Sequence, residues 1–154
     1  MTATRSPLAY FGIEPESREA RILRLVVETV VQGVDGDEGS LLVAAPEAGD
    51  LYFAMTIGDE ESEKTLLGQR VPMGQGLTGL AAATQEVQVG APTFKDVAQT
   101  EKKSTGPQAV LAAPMVIGDR LIGVVTAVSF RDGKRFTARD ATFAGRLATI
   151  AAVI

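Results

Sequence analysis

Residues 71–92 read VPMGQGLTGLAAATQEVQVGAP and hold three closely spaced glycines, Gly74, Gly76 and Gly79. Their spacing satisfies G-x-G-x-x-G, the pattern that binds the pyrophosphate of a dinucleotide. That chemistry depends on the setting: a complete buried strand before the glycines, a long helix after them, and an acidic residue at the end of the next strand. The flanking sequence therefore decides whether the chain has a nucleotide-binding fold.

The flanking sequence does not provide that setting. Pro72 interrupts the preceding extended segment, and the following helix has room only for residues 77–84. The next strand, residues 86–91, ends without an acidic residue, and Asp96 lies beyond it in a loop. The glycines instead predict a turn, which needs backbone conformations that other residues resist, followed by a short helix packed closely on a sheet. Free N–H groups at the start of such a helix could still receive an anion.

The order of predicted elements indicates a single α+β domain. Residues 1–15 are predicted to form an irregular arm, and residues 16–154 one folded domain. The elements are a helix over Glu16–Gln32, a hairpin over residues 40–58, a short helix over residues 77–84, a strand over residues 86–91, a long loop over residues 91–108, a hairpin over residues 109–130 and a last helix after Thr137. Hairpins in place of alternating β–α–β units predict an antiparallel sheet with helices packed on it.

Both terminal helices are predicted to be amphipathic. In the first, apolar residues recur every four positions, and Pro15 occupies a favoured first position. In the last, Thr137 and Asp140 form a capping box, and an apolar seam continues to Ile154. Such faces either pack on the domain's own sheet or form a dimer interface, and the sequence leaves both options open. The dimer option predicts these interface residues: Leu23, Val27, Val30, Leu147, Ala151 and Ile154.

The residue types narrow the possible chemistry. The chain has 154 residues with no Cys and no His, which excludes disulfides, thiol redox chemistry, zinc sites built on those residues and histidine-based nucleophilic catalysis. Carboxylates, hydroxyls and amines remain, but they form no recognisable catalytic set. We therefore expect neither enzymatic activity nor a cofactor.

Charge and hydropathy predict a cytoplasmic protein. No apolar run reaches the ~18 residues that span a bilayer, and the first residues, MTATRSPLAYFGIEP, lack the apolar segment of a signal peptide. The net charge is -4, which favours neither nucleic acid nor a membrane as partner. Residues 1–63 carry 13 acidic and 4 basic side chains, and residues 64–154 carry 6 and 11. The two halves either offset each other in one fold or leave a basic patch that attracts an anion.

Three segments, in order, resemble the signatures of one family, the GAF domains. Residues 71–92 resemble its central signature, in which an extended segment runs into the glycine turn, a short helix, a strand and a long variable loop. Residues 111–130, LAAPMVIGDRLIGVVTAVSF, resemble the second, with a tight turn before Ile122-Gly123-Val124. Residues 135–154, RFTARDATFAGRLATIAAVI, resemble the final helix. With the first helix, the resemblance covers about residues 16–154.

The resemblance implies a fold and a class of function. GAF domains have a central antiparallel sheet of five or six strands, an α+β architecture like that of PAS domains and profilin. Terminal helices cover one face, and a short helix and long loop form a pocket on the other. Known members bind cyclic nucleotides, tetrapyrroles, haem or small organic acids, reduce free methionine sulfoxide, or only dimerise and pass signals between helices. The bilin, haem and sulfoxide-reducing branches use Cys or His, which this chain lacks.

Two hypotheses follow from the resemblance. The first is a non-catalytic regulatory domain that senses a small ligand, with an anion as one option, and signals through its terminal helices as a homodimer. The second is an interaction module that dimerises without a ligand because its pocket has filled in.

The ligand hypothesis assigns contacts to the loop, the short helix and the sheet. Side chains alternate along the strand over residues 121–130, and the face with more small residues, which includes Leu121 and Ala127, should accept the helices. Ile122 and Thr126 would then point towards the pocket. The predicted ligand contacts are Thr78, Thr93, Phe94, Asp96, Lys102, Lys103, Ser104, Met115 and Thr126.

Overall fold

The computed structural model of the chain describes residues 13–14, 16–45, 49–58, 60–91 and 108–154. The helices in these ranges are α1 (Arg18–Gly33), α2 (Glu60–Leu66), α3 (Gly76–Thr84) and α4 (Ala138–Ala152). The strands are β1 (Glu38–Ala45), β2 (Asp50–Ile57), β3 (Arg70–Pro72), β4 (Gln88–Gly90), β5 (Ala109–Ile117) and β6 (Arg120–Ser129). The predicted helices, hairpins and short strand are all present in the predicted order.

The strands of the described residues form one six-stranded sheet in the order β3-β2-β1-β6-β5-β4. Each neighbouring pair is antiparallel. The hairpins β1–β2 and β5–β6 supply the four central strands, and the short strands β3 and β4 form the edges. This sheet confirms the predicted α+β class and the antiparallel sheet of five or six strands.

The sheet carries a hydrophobic core on each face. On one face, which we call the α1/α4 face, Val27 and Ala148 of the helices pack with Leu41 of β1. On the other, which we call the α3 face, Ala81 of α3 packs with Phe53 of β2. Burial of these aliphatic and aromatic side chains is the main favourable contribution to folding. The terminal helices thus share one face and the short helix lies on the other, as predicted.

The two terminal helices run antiparallel. The last residue of α1, Gly33, lies against the ring of Phe143 near the start of α4. At the opposite end, Leu23 of α1 and Ala151 of α4 line one cavity. The chain therefore enters α1 and leaves α4 at the same end of the domain.

Side-chain caps fix where the terminal helices begin. The hydroxyl of Ser17 accepts the backbone N–H three residues later at 3.2 Å, so α1 begins at Arg18, two residues after the predicted start at Glu16. Pro15 itself lies outside the described residues. Thr137 and Asp140 form the predicted capping box, with reciprocal bonds of 2.8 and 3.1 Å between backbone N–H and side-chain oxygen.

A β-bulge changes which side chains of β6 face the helices. The register between β5 and β6 shifts between Met115 and Val116, and Ile122 is the extra residue on β6. Ile122 consequently packs with the core of the α1/α4 face, and Leu121 with that of the α3 face, the reverse of the predicted alternation. Beyond the bulge the prediction is confirmed, because Ala127 packs towards the helices.

Candidate functional site

Backbone conformation builds the glycine turn that precedes α3. Gly74 and Gly76 have φ angles of +87° and +66°, in the left-handed region that favours glycine. The N–H of Gly74 donates to the carbonyl oxygen of Gly79 at 2.8 Å, which closes the turn. A Cβ on Gly79 would lie 2.5 Å from the carbonyl oxygen of Pro72, so only glycine allows α3 to approach the edge strand this closely. The prediction of a turn and a closely packed short helix is confirmed.

Three buried hydroxyl side chains lie in one cross-strand row on the α3 face. Ser40 of β1 pairs with Thr126 of β6 on one side and with Thr56 of β2 on the other. Side chains paired across strands point to the same face, and the next pair on this face, Leu42 and Val124, packs in the core of the α3 face. We call Ser40, Thr56 and Thr126 the hydroxyl row; each is at most 4% exposed.

Thr78, in the first turn of α3, adds a fourth buried hydroxyl to this face. Its Oγ1 and that of Thr56 have no hydrogen-bond partner among the described residues. A buried polar group without a partner costs about 1–3 kcal/mol, and such groups are rare in native proteins. A hydroxyl both donates and accepts hydrogen bonds, so Thr56 and Thr78 offer this face the chemistry to recognise a polar molecule.

Gln85 fixes the other end of α3 to the sheet. It adopts the left-handed conformation, with φ +59°, and ends the helix. Its Nε2 donates to the carbonyl oxygen of Asp119, in the turn between β5 and β6, at 2.9 Å. This bond ties the helix that carries Thr78 to the hairpin that carries Thr126.

A polar cluster joins the end of α1 to the connection between β6 and α4. Arg131 donates to the carbonyl oxygen and to Oδ2 of Asp35 at 3.0 and 2.7 Å. Lys134 donates to the carbonyl oxygen of Val34 at 3.2 Å, and Asp37 accepts the backbone N–H just after β6 at 2.7 Å. The hydrogen bond from Arg131 and its positive charge lower the pKa of Asp35. We call Asp35, Asp37, Arg131 and Lys134 the α1-end cluster.

The part of the chain that the structure describes contains neither a metal-binding group of side chains nor a membrane-spanning helix. No group of three or more Asp, Glu, His or Cys side chains there could hold a metal ion. Among the helices described, none combines the length and the apolar character that crossing a bilayer requires.

The structure places two of the predicted ligand contacts on the same face of the sheet and a third on the opposite face. Thr78 and Thr126 are both buried on the α3 face. Met115 packs on the α1/α4 face instead, because the alternation along β5 places it on the same side as Leu111 and Ala113. Met115 is therefore a wrong assignment for a pocket on the α3 face. The remaining predicted contacts lie outside the described residues: Thr93, Phe94, Asp96, Lys102, Lys103 and Ser104.

No sequence pattern indicated Ser40 or Thr56 as site residues. Neither belongs to a motif, since each stands at one end of an apolar run. They become neighbours through the pairing of β1 and β2, whose register is set by a β-bulge between Leu41 and Leu42. The one signal available was alternation along β1, which places Ser40 on the face of Leu42.

The structure places most of the predicted dimer-interface residues inside the domain. Leu23, Val27, Val30 and Ala151 are at most 3% exposed and pack in the core of the α1/α4 face, the alternative that the sequence left open. Leu147 is half-buried and Ile154 is 36% exposed. Other apolar residues of these helices face solvent. They are Ile22 and Leu25 on α1, and Phe143 and Ile150 on α4.

The family comparison agrees with this architecture. The model of the GAF domain family matches residues 16–154. The fold and its glycine turn define an α+β domain built on one antiparallel sheet, and the family match shows that the chain belongs to the GAF domain family. No curated protein sequence matches it.

Solved structures share the fold at low sequence identity. The second GAF domain of DevS from Mycobacterium smegmatis is 21% identical, with a TM-score of 0.69 over 88% of this chain and 91% of that one. A GAF domain/HD domain protein from Geobacter sulfurreducens is 16% identical, with a TM-score of 0.71 over 88% and 90%. The free methionine-R-sulfoxide reductase from Neisseria meningitidis, solved with its substrate, is 18% identical, with a TM-score of 0.63 over 99% and 95%.

Proposed function

We propose that this GAF domain is a non-catalytic sensory module that binds a small polar ligand on the α3 face. The observation that carries the proposal is the pair of buried hydroxyls without partners, Thr56 and Thr78. With Ser40 and Thr126 they are four buried hydroxyl side chains on this face. A ligand with its own donors and acceptors would form hydrogen bonds with these hydroxyls and offset the free-energy cost of burying them without partners.

The ligand's hydrogen-bonding groups matter more to this proposal than its charge. Hydroxyls bind neutral and anionic molecules alike. An anionic ligand depends on Lys102 and Lys103, which lie outside the described residues. The residues described on this face therefore favour a small molecule rich in carbonyl, hydroxyl or amide groups.

The proposed signal passes from α3 to the terminal helices through the β5–β6 hairpin. Gln85 ties α3 to the turn of that hairpin. The opposite face of the same hairpin packs on α4, through residues such as Ala113 and Val125. A ligand that shifts α3 would therefore also move strands β5 and β6, against which α4 packs. The α1-end cluster would pass that movement on to α1.

A non-catalytic role is consistent with the residue types. The structural neighbour from Neisseria meningitidis is a methionine-R-sulfoxide reductase. The resemblance to GAF domains implies that the sulfoxide-reducing branch is among those that use Cys or His, and this chain has neither. We propose recognition without chemistry at the α3 face.

A second candidate is a dimerisation module, and the exposed apolar side chains favour it. Leu25 is 61% exposed on α1 and Ile150 is 54% exposed on α4. Ile22 on α1 and Phe143 on α4 are also exposed. A second copy of the chain with the same two antiparallel helices would cover this surface in a symmetric dimer. Ligand sensing and dimerisation are compatible, because the proposed ligand site and the terminal helices lie on opposite faces of the sheet.

Thermal-shift screening combined with sedimentation distinguishes the two candidates. Cyclic nucleotides, nucleobases and 2-oxo acids represent three classes of polar ligand, and a binding class should raise the melting temperature in a saturable way. Thr126→Val should weaken that response, whereas Thr149→Val, at an exposed hydroxyl on α4, should not. No response to any ligand together with a tight dimer would reject the sensor and retain the dimerisation module.

A further inference from the structure

A cavity lies on the α1/α4 face, on the other side of the sheet from the hydroxyl row. It has a volume of about 360 Å³ and opens between the start of α1, the end of α4 and the β5–β6 hairpin. Leu41 and Met115 form its buried floor, and Arg120 lies at its exposed rim. Small-molecule sites commonly have volumes of about 300–1,000 Å³, so the cavity suits a small ligand.

The small side chains of α4 create this cavity. The buried residues of the helix are four alanines, Ala144, Ala148, Ala151 and Ala152, and the last two line the cavity. Alanine reaches only a short way towards the sheet, so space remains opposite Met115. The β-bulge in β6 turns Ile122 towards this space and adds a second aliphatic wall. The cavity thus follows from residue size and register.

Arg120 is the one charged side chain among the described residues that line the cavity. It is exposed and makes no ion pair or hydrogen bond with any described residue. The rest of the lining is aliphatic apart from a sulfur atom, and it includes Ile13 and Ile154. A free guanidinium beside an aliphatic cavity complements a molecule with a carboxylate head and an alkyl tail.

We propose that this cavity binds a medium-chain carboxylic acid, with the alkyl chain against Ile13, Ile122 and Ile154 and the carboxylate on Arg120. Each methylene group that leaves water strengthens binding by about fourfold. A charge-assisted hydrogen bond to the carboxylate adds about tenfold or more. The acid would touch α1 and α4 together, and its binding does not depend on the function proposed for the α3 face.

Methionine methyl groups report which face of the sheet a ligand occupies. Met115 lines this cavity, whereas Met73 packs on the α3 face. Octanoate, titrated below its micelle concentration into protein with ¹³C-labelled methionine methyl groups, should shift the Met115 signal in a saturable way and leave Met73 unchanged. Met115→Leu assigns the signal. A shift confined to Met73, or no saturable shift at Met115, overturns the proposal.

The carboxylate contact has its own controls. Octylamine has the same tail with the opposite charge and should bind at least about tenfold more weakly than octanoate. Arg120→Gln should weaken octanoate binding by about tenfold, and Arg139→Gln, at an exposed arginine in the first turn of α4, should leave it unchanged. Equal affinities for octanoate and octylamine, or an Arg120→Gln variant with unchanged affinity, contradict the proposal.

A filled cavity provides a third test. Ala151→Leu places a larger side chain in the wall of the cavity and should abolish the octanoate-dependent shift at Met115. Arg120→Gln keeps the proposal testable if Ala151→Leu fails to fold, since Arg120 is exposed. A Met115 signal that follows protein concentration but not octanoate would mean that a second copy of the chain occupies the cavity, which also overturns the proposal.

Discussion

The ring of Phe143 on α4 packs directly against Gly33, the last residue of α1. Glycine has no side chain at this point, so the aromatic ring of one helix contacts the backbone of the other. Both helices also pack on the same face of the sheet. The contact therefore sets the spacing of the two helices at one end of the domain.

Gly33→Ala should lower the free energy of unfolding by at most about 1 kcal/mol. The new methyl group would overlap the far end of the Phe143 ring, which is 37% exposed and has to move aside. The cost should therefore fall at the low end of the about 1–3 kcal/mol of overpacking, less up to about 1 kcal/mol of improved helix propensity. Urea denaturation measures the change. In a Phe143→Ala background the overlap is gone, and the same substitution should be neutral or stabilising. Equal losses in both backgrounds would show that the ring contact does not constrain the helices.

Arg131→Gln should reduce stability near neutral pH and have little effect in acid. Arg131 lowers the pKa of Asp35 below its ordinary value of 3.8, so the pair stabilises the folded state when Asp35 is ionised. That stabilisation is present above the unfolded pKa and is lost as the pH falls through the lower folded pKa. Melting temperatures at pH 7 and pH 3 check this. A gap between wild type and variant that widens in acid would contradict it, and Arg139→Gln, at an exposed arginine, is the matched control.

Thr137→Ala should destabilise the domain by about 0.5–2 kcal/mol. The substitution removes the side-chain acceptor for the N–H of Asp140 and so breaks the capping box that begins α4. Thr142→Ala removes a hydroxyl from the same helix, but that group is exposed and bonds only to its own helix. The control should stay within about 0.5 kcal/mol of wild type. Similar losses in both variants would mean that the cap has no special role.

Leu25→Asp should weaken any self-association of the domain without unfolding it. Leu25 is 61% exposed, so a carboxylate there stays in water in the monomer but would face apolar side chains in a dimer through α1 and α4. Sedimentation velocity should show the variant dissociating at higher concentrations than wild type. Arg24→Asp, at an exposed charged position on a different side of α1, is the control. Unchanged association in Leu25→Asp, or monomeric wild type at all concentrations, would reject this interface.

Local patterns were enough to predict the fold, because each element carries its own signal. The glycine turn, the Gly118-Asp119 hairpin and the capping box at Thr137 each act over a few residues, and each is present in the structure. The order of these elements along the chain predicted the antiparallel sheet and the resemblance to GAF domains. The α+β class and the placement of the helices followed from that order.

The candidate site was harder to predict because it depends on strand register. Ser40 and Thr56 lie side by side only after β1 and β2 pair with a bulge between them. The second bulge exchanged the faces of Leu121 and Ile122, which no local pattern indicates. The terminal helices were predicted correctly as amphipathic, but the same apolar spacing fits an internal core or a dimer. The burial of each side chain in the structure, rather than the spacing of apolar residues in the sequence, distinguishes a core residue from an interface residue.

The most direct test of the central claim is the effect of Thr78→Val on stability and on ligand affinity. In the ligand-free protein the hydroxyl of Thr78 is buried with no partner among the described residues, so valine should leave the free energy of unfolding unchanged or raise it by up to about 1 kcal/mol. For a ligand found by thermal shift, calorimetry should show affinity reduced by about tenfold, the loss of one good hydrogen bond. Unchanged affinity together with a destabilised ligand-free protein would contradict a ligand-binding role for the α3 face.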